Sequence, residues 1–318
     1  MKVLVLGATG FIGAAVVDAL LRRGDQVVAG VRDFRSGRRR WPGVAQIEVD
    51  FARDTSPTLW APRLRDIDAV VNAVGVLRAP PEAMRAIHAD TPIALFDACA
   101  AAGVRVLQVS ALGAARDAPS AFLRSKNLAD EHLLARGVGA VLRPSLVFGL
   151  GGRSTQALLD LALAPFWPLP GGGRQVVQPI HLDDVVEGIL ALLDPARGTI
   201  AIDAVGARPL RLREYLHCLR SGLGRGRGRV VTVPAPLARG AARVLALGRG
   251  LVDPAAVDML ERSRAVDPVP FRRLLGHRPR DCRRFLRPPM AQIVARHWPA
   301  RIDLVLLRVS LALVWLAS

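Results

Sequence analysis

The sequence predicts an α/β fold: a doubly wound parallel sheet, then a smaller C-terminal α/β lobe and a hydrophobic C-terminal helix. Three observations predict it. Short, wholly apolar runs alternate with helical spacing as far as residue 149. Strands buried on both faces read this way, because helices cover both sides of a parallel sheet. The first strand ends in a glycine-rich turn that opens a helix. After residue 150 the alternation weakens, as expected for a different lobe.

The elements follow in order. "KVLVL" (2–6) is a strand ended by Gly7, and "FIGAAVVDALLRRG" has helical spacing and stops at Gly24. Strands follow at 26–32, 45–51 and 67–75. Residues 81–103 are a helical region, 104–114 a strand and loop, 127–137 a helix ended by glycine, and 138–149 a sixth strand. Beyond it, "STQALLDLALAPF" is helical, and "GGGRQVVQPIHLDDVVEGILALL" gives a turn, a strand and a helix from about Asp183. "GLGRGRGRVVTVPAPLARGAARVLALG" gives a loop, a strand and an Ala/Arg helix. The expected division is 1–150, 151–300 and 301–318.

The turn "GATGFIG" carries the first functional signal. Gly7 permits a tight turn, Gly10 lets the backbone approach a pyrophosphate, and Gly13 allows close helix–strand packing. With Thr9, Phe11 and Ile12 they place free N–H groups and a positive dipole end before a phosphate. In a strand–turn–helix unit this is the Rossmann pattern for a dinucleotide. The second strand ends at Arg32, where a carboxylate would hold ribose hydroxyls; an arginine suits a 2′-phosphate. Asp33 lies beside it, and Arg35, Arg38, Arg39 and Arg40 follow. NADP(H) is therefore favoured over NAD(H). Asp50 and Phe51 end the third strand near the adenine, and Ala73, Val74 and Gly75 end the fourth, where backbone passes the cofactor.

The glycine pattern, "VVNAVG", "QVSALGA", the Lys126 segment, "LRPSLVFG" and "QPIHLDDVV" together resemble the short-chain dehydrogenase/reductase superfamily, in its extended or atypical branch, over residues 1 to about 190. "SAFLRSKNLADEHL" and "GGGRQVVQPIHLDDV" look like bacterial relatives of the NAD(P)H-binding accessory subunit of respiratory complex I. That resemblance implies NADPH binding with a structural, assembly or quinone-related role. It also assigns positions. Ser110 matches the serine ending strand five, and Lys126 the lysine that holds the nicotinamide ribose. Pro144 and Ser145 match the turn beside the nicotinamide. His181 and Asp184 match a segment that ties the second lobe to the sheet.

One position departs. The family's tyrosine, four residues before the lysine, is Phe122 here. The phenol moves the proton that accompanies hydride transfer, and such help is worth about 10²–10⁴ in rate. Phenylalanine supplies none of it. The single tyrosine, Tyr215, falls in the later lobe. Substitute donors are a water held by Ser110 and Lys126, or His181. Retained cofactor grip with lost acid is the simplest reading. The alternative is a reductase, epimerase or dehydratase using a substitute donor.

The formal charge of +17 is uneven: residues 208–301 carry 21 Lys+Arg against 6 Asp+Glu, while residues 1–207 are near balance at 22 against 20. A basic last third suggests an anionic partner such as a lipid surface, nucleic acid or an acidic protein. The loop "GRGRGR" (224–229) has almost no aromatic residues near it, which argues against a nucleic-acid module. Residues 302–318 are apolar except for Asp303 and Arg308. As a helix they would span about 25 Å, short of a hydrocarbon core of roughly 30 Å. They read as a membrane anchor or the start of a membrane domain, and resemble the beginning of a DoxX-like one; a buried terminal helix is the alternative. A start in "MKVLVLGATG" reads as strand and turn rather than a secretory leader. The expectation is a cytoplasmic protein at the inner face of the membrane, near respiratory or quinone-pathway proteins. Cys99, Cys218 and Cys282 are far apart, without metal spacing, and read as reduced, inert thiols, although arginines flank Cys282. No metal is expected. Substrate and oligomeric state are not legible.

Overall fold

The computed structural model describes residues 1–118, 120–234 and 264–286. The apolar end at 302–318 and the Ala/Arg helix expected after residue 235 lie outside them. No helix among the described residues is long and apolar enough to cross a membrane.

The sheet expected from the sequence is present. Strands β1 (Lys2–Leu6), β2 (Gln26–Val31), β3 (Ala45–Glu48), β4 (Ala69–Asn72), β5 (Arg105–Val109) and β6 (Gly139–Pro144) are joined by a seventh, Ile200–Ala204. Their order is Ile200–Ala204, β6, β5, β4, β1, β2, β3, and all pairs are parallel. Val3, Leu4, Val5 and Leu6 are fully buried, as helices on both faces require. Strand order reverses between β1 and β4. At such a switch point the loops part and leave a crevice beyond the strands' carboxyl ends.

Helix α1 (Phe11–Arg23) ends at Gly24, whose φ of 88° closes it in the left-handed region. Helix α2 (Phe34–Arg40) follows β2. The helical region expected at 81–103 is interrupted. Residues Ala86–Asp90 form a π-helical turn between Pro81–Arg85 and Thr91–Ala102. The helix expected at 127–137 starts earlier, at Ala121, and runs to Arg136. Ser120 caps it by accepting from the Leu123 N–H at 3.1 Å, so Phe122 and Lys126 share one helix.

The chain divides into two compact units. The first takes in Met1–Ser145, Leu182–Ala204 and Pro268–Arg278; the second holds Leu146–His181 with the described residues of 205–267 and 279–286. The sequence suggested that the first domain closes at residue 150, but Ile200–Ala204 returns to the edge of the first unit's sheet beside β6. Three strand pairs build the second unit: Val147–Phe148 with Ile180–His181, Val176–Val177 with Leu210–Arg211, and Phe166–Pro170 with Arg229–Val233. Phe148, Trp167, Tyr215, Leu216 and Phe285 form its core with helices Arg153–Leu163 and Leu212–Gly222.

Candidate cofactor and proton-transfer site

The glycine turn lies at the switch point. Gly7 has φ +71°, and a Cβ there would sit 3.1 Å from the carbonyl carbon and oxygen of Ala73 and from the Val74 nitrogen. The end of β4 therefore approaches the turn as closely as backbone can. A Cβ on Gly13 would overlap the Gly7 carbonyl oxygen. The Gly10 N–H donates to that oxygen at 2.9 Å. Gly10 starts α1 with no side-chain cap and no acid in the first turn. The first-turn N–H groups thus face outward with a positive dipole end. Thr9 and Gly10 are exposed, and Phe11 and Ile12 half-buried. These residues fit a dinucleotide pyrophosphate.

Arg32 is exposed just beyond β2. Its acidic neighbour is occupied: Asp33 caps α2, accepting from the Arg35 N–H at 3.0 Å and the Ser36 hydroxyl at 3.3 Å. Arg40 is also engaged, donating to Asp18 at 2.7 Å. Asp50 is half-buried and accepts from the Ala52 N–H at 2.9 Å. Phe51 turns its ring inward against Trp60, with centroids 5.8 Å apart and planes at 72°. At this strand end Asp50, rather than the Phe51 ring, is the more accessible group.

Several buried polar residues gather around the first half of the Ala121–Arg136 helix. Lys126 is 3 % exposed, and its ammonium donates to the carbonyls of Val74 at 2.9 Å and Val109 at 3.0 Å. It thereby ties the ends of β4 and β5 together. Burial pulls its pKa down to about 8, with the Asp130 charge opposing. Ser110 donates its hydroxyl proton to Asp130 at 2.7 Å, and Arg143 donates to the same carboxylate oxygen at 3.0 Å. Burial raises the Asp130 pKa, while Ser110, Arg143 and Lys126 restrain it. Pro144 ends β6, and its carbonyl accepts from the Leu112 N–H at 2.9 Å.

Two residues that sequence reasoning did not single out complete the group. His88, in the π-helical turn, is fully buried, and its Nε2 accepts the Val76 N–H at 3.0 Å. That bond puts the ring proton on Nδ1, which lies 3.4 Å from the Ser125 hydroxyl. Ser125 in turn donates to the Phe122 carbonyl at 2.9 Å. Burial, then the Lys126 charge, push the His88 pKa down to about 3, so the ring is neutral. The Phe122 ring, 9 % exposed, meets the imidazole edge to face at 5.1 Å. Asp130, the other residue passed over, carried a readable signal: an acid four residues after Lys126, on the same helix face. His88 was a lone histidine in an apolar helical stretch, with nothing to mark it.

His181 and Tyr215 belong to the second unit. The His181 ring lies 5.8 Å from Phe148 and 5.3 Å from Phe285. Tyr215 is 1 % exposed, and burial drives its pKa up. Its phenol is a core group. Asp184 is fully buried in the first unit, on helix Leu182–Leu192. Among the described residues, no cluster of ligating side chains could hold a metal.

The chain is similar to several known proteins. The chain is 32 % identical over 271 residues to a 3-diazoavenalumate denitrifying reductase of Streptomyces, covering 75 % of this chain and 86 % of that one. It is 30 % identical over 202 residues to NADH dehydrogenase [ubiquinone] 1 alpha subcomplex subunit 9 of Arabidopsis thaliana, covering 59 % of this chain and about half (49 %) of that protein. The solved structure of MoeE5 with UDP-glucuronic acid and NAD superposes with a TM-score of 0.68 at 22 % identity, over 93 % of this chain and 99 % of that one. Residues 3–202 match the model of a single family, and by that match the chain belongs to the NAD dependent epimerase/dehydratase family.

Proposed function

We propose that this chain binds NADP(H) and lacks phenol-assisted turnover, serving a structural or assembly role near respiratory or quinone-pathway proteins. One observation carries the reading: Lys126 keeps its place between β4 and β5, while the acid's position holds Phe122, packed against a neutral His88. Grip on a cofactor and supply of a proton are thereby separated. In this reading the glycine turn and the start of α1 hold the pyrophosphate, and Arg32 pairs with the 2′-phosphate. Asp50 faces the adenosine. Lys126 directs its remaining N–H at ribose hydroxyls, beside the backbone of Ala73 to Gly75 and Pro144. The bound nicotinamide would supply hydride chemistry. Ser110 donates its hydroxyl hydrogen bond to Asp130 and offers a ligand only its lone pairs, so it is no donor in this state. The occupied carboxylate of Asp33 supports NADP(H) over NAD(H). Likeness to the Arabidopsis subunit supports the assembly role, and the basic residues 208–301 support seating against an anionic membrane or protein surface.

The test is titration with NADPH and NADH by fluorescence and thermal shift, followed by a panel of quinones and carbonyls. Tight NADPH binding, weak NADH binding and no substrate-linked NADPH oxidation are expected. Steady turnover near 1 s⁻¹ or above, within the ordinary enzyme range, would overturn the reading. It would favour the second one, a working reductase with a substitute donor, which the likeness to the Streptomyces reductase supports.

A further inference from the structure

We propose that the outward face of the strand pair Phe166–Pro170 and Arg229–Val233, together with the loop 224–228 that feeds it, docks on an anionic lipid surface. The proposal rests on the membrane-seating part of the proposed function and gives it a place on the second unit. The face follows from strand register. The two strands run parallel, with Phe166 opposite Arg229 and Pro168 opposite Val231. Side chains alternate between the two faces of a strand, and partners across the pair share a face. Trp167 and Leu169, the alternate residues, are buried in the unit's core. Phe166, Pro168, Arg229 and Val231 therefore take the other side. All four are exposed; Phe166 at 53 % and Val231 at 47 % leave much of their apolar surface in water.

The loop adds charge in a fixed place. Arg225 and Arg227 are exposed on it, next to Arg229. The Arg220 guanidinium pins the loop: it donates to the Gly226 carbonyl and to the carbonyls of Ala162 at 2.7 Å and Ala164 at 2.9 Å. Gly228 backs onto the Trp167 ring so closely that a Cβ there would overlap it. Residues 205–234 are rich in arginine and hold a single acid, Glu214, whose carboxylate is occupied by the Arg211 N–H at 2.9 Å. Three guanidinium groups thus border an apolar patch, and the surrounding sequence has little acid to offset them. A bilayer surface meets both halves: headgroup phosphates take the arginines, and the interface takes Phe166, Pro168 and Val231. Folding does set one aromatic, Phe166, across from the arginine loop. A nucleic acid would stack on that ring alone and leave Pro168 and Val231 in water.

The experiment measures partition of the full chain onto vesicles by co-sedimentation. One set is phosphatidylcholine; the other is three parts phosphatidylcholine to one part phosphatidylglycerol. Binding to the anionic set alone, weakened by salt, is expected. Arg225→Ala, Arg227→Ala and Arg229→Ala together should cost about fivefold per arginine, roughly 100-fold in all. Phe166→Ser should cost about tenfold and leave the salt dependence unchanged. Alanine at Arg208, Arg283 and Arg284, exposed outside the strand pair and loop, should cost far less. Equal binding to both vesicle sets, equal losses from the two arginine triples, or binding that no variant changes would each overturn the proposal. So would a loss with the first triple and none with Phe166→Ser, which describes a charged surface open to any polyanion, an acidic protein included. If the triple fails to fold, Arg225→Glu against Arg208→Glu gives the same contrast. NADPH thermal shifts on the same samples keep the two readings apart. No vesicle binding with NADPH binding intact overturns this surface and leaves the cofactor reading standing. Vesicle binding without NADPH binding supports the surface and strikes the cofactor.

Discussion

The ring of Phe122 meets the imidazole of His88 edge to face, with centroids 5.1 Å apart and planes at 86°. The position that would hold an acid is thus part of an apolar contact. On the same helix, Lys126 donates two hydrogen bonds to carbonyls beyond β4 and at the end of β5. Phe122→Tyr adds one hydroxyl to this frame. If acid loss is the main defect, the variant gains NADPH-dependent carbonyl or quinone reduction by about 10²–10⁴ over wild type. Steady-state NADPH oxidation reads the change. No gain, with NADPH binding intact, would mean that the site has lost more than its phenol.

His88 makes stability depend on acid. Its folded pKa, about 3, lies below its ordinary 6.5, because the buried ring cannot take a charge. Protonation therefore favours the unfolded chain. The contribution is whole above about pH 6.5 and falls as pH drops from there toward 3, by at most about 1.4 kcal/mol per unit. His88→Asn removes this slope while leaving an acceptor for the Val76 N–H. Urea melts at pH 7 and pH 5 should show wild type losing more stability than the variant. Parallel losses would refute the assignment.

The glycine turn predicts a sharp contrast between two alanine substitutions. Gly13→Ala drives a methyl into the Gly7 carbonyl, whereas a Cβ at Gly43 meets nothing within 4 Å. Overpacking of this kind costs about 1–3 kcal/mol. Gly13→Ala should lower the Tm by several degrees and abolish stabilisation by NADPH; Gly43→Ala should do neither. Differential scanning fluorimetry with and without NADPH separates them.

What was legible in the sequence was local. β1, the turn and α1 announce themselves because strand, glycine spacing and helix are consecutive. Ser110 and Lys126 were singled out by resemblance, Ser110 at the end of a readable apolar strand and Lys126 in the segment "SAFLRSK". His88 was not, since its role comes from a π-helical turn that carries it under Val76, and neither periodicity nor composition encodes that turn. Ile200–Ala204 was missed because a strand that returns to β6 after an excursion has no sequence neighbour to reveal its partner.

The proposed preference for NADP(H) rests on Arg32 and can be tested there. It is exposed at the end of β2, while Asp33, the adjacent carboxylate, is spent capping α2. An acid held in that way is a poor partner for ribose hydroxyls, and a free guanidinium beside it is a good partner for a 2′-phosphate. A charge-assisted hydrogen bond is worth about 1.5–3 kcal/mol, which is roughly 10- to 150-fold in Kd by the rule of about 1.4 kcal/mol per decade. Arg32→Ala should weaken NADPH binding by that factor and leave NADH binding nearly unchanged. Arg40→Ala is the matched control: its partner is Asp18, so it should leave NADPH affinity close to wild type. Equal losses for both nucleotides with Arg32→Ala would show that the arginine supports the fold of the turn. Unchanged NADPH affinity would move the 2′-phosphate contact elsewhere or remove it. The ratio of the two affinities separates these outcomes, because damage to the turn is felt by both nucleotides and loss of a phosphate contact by one.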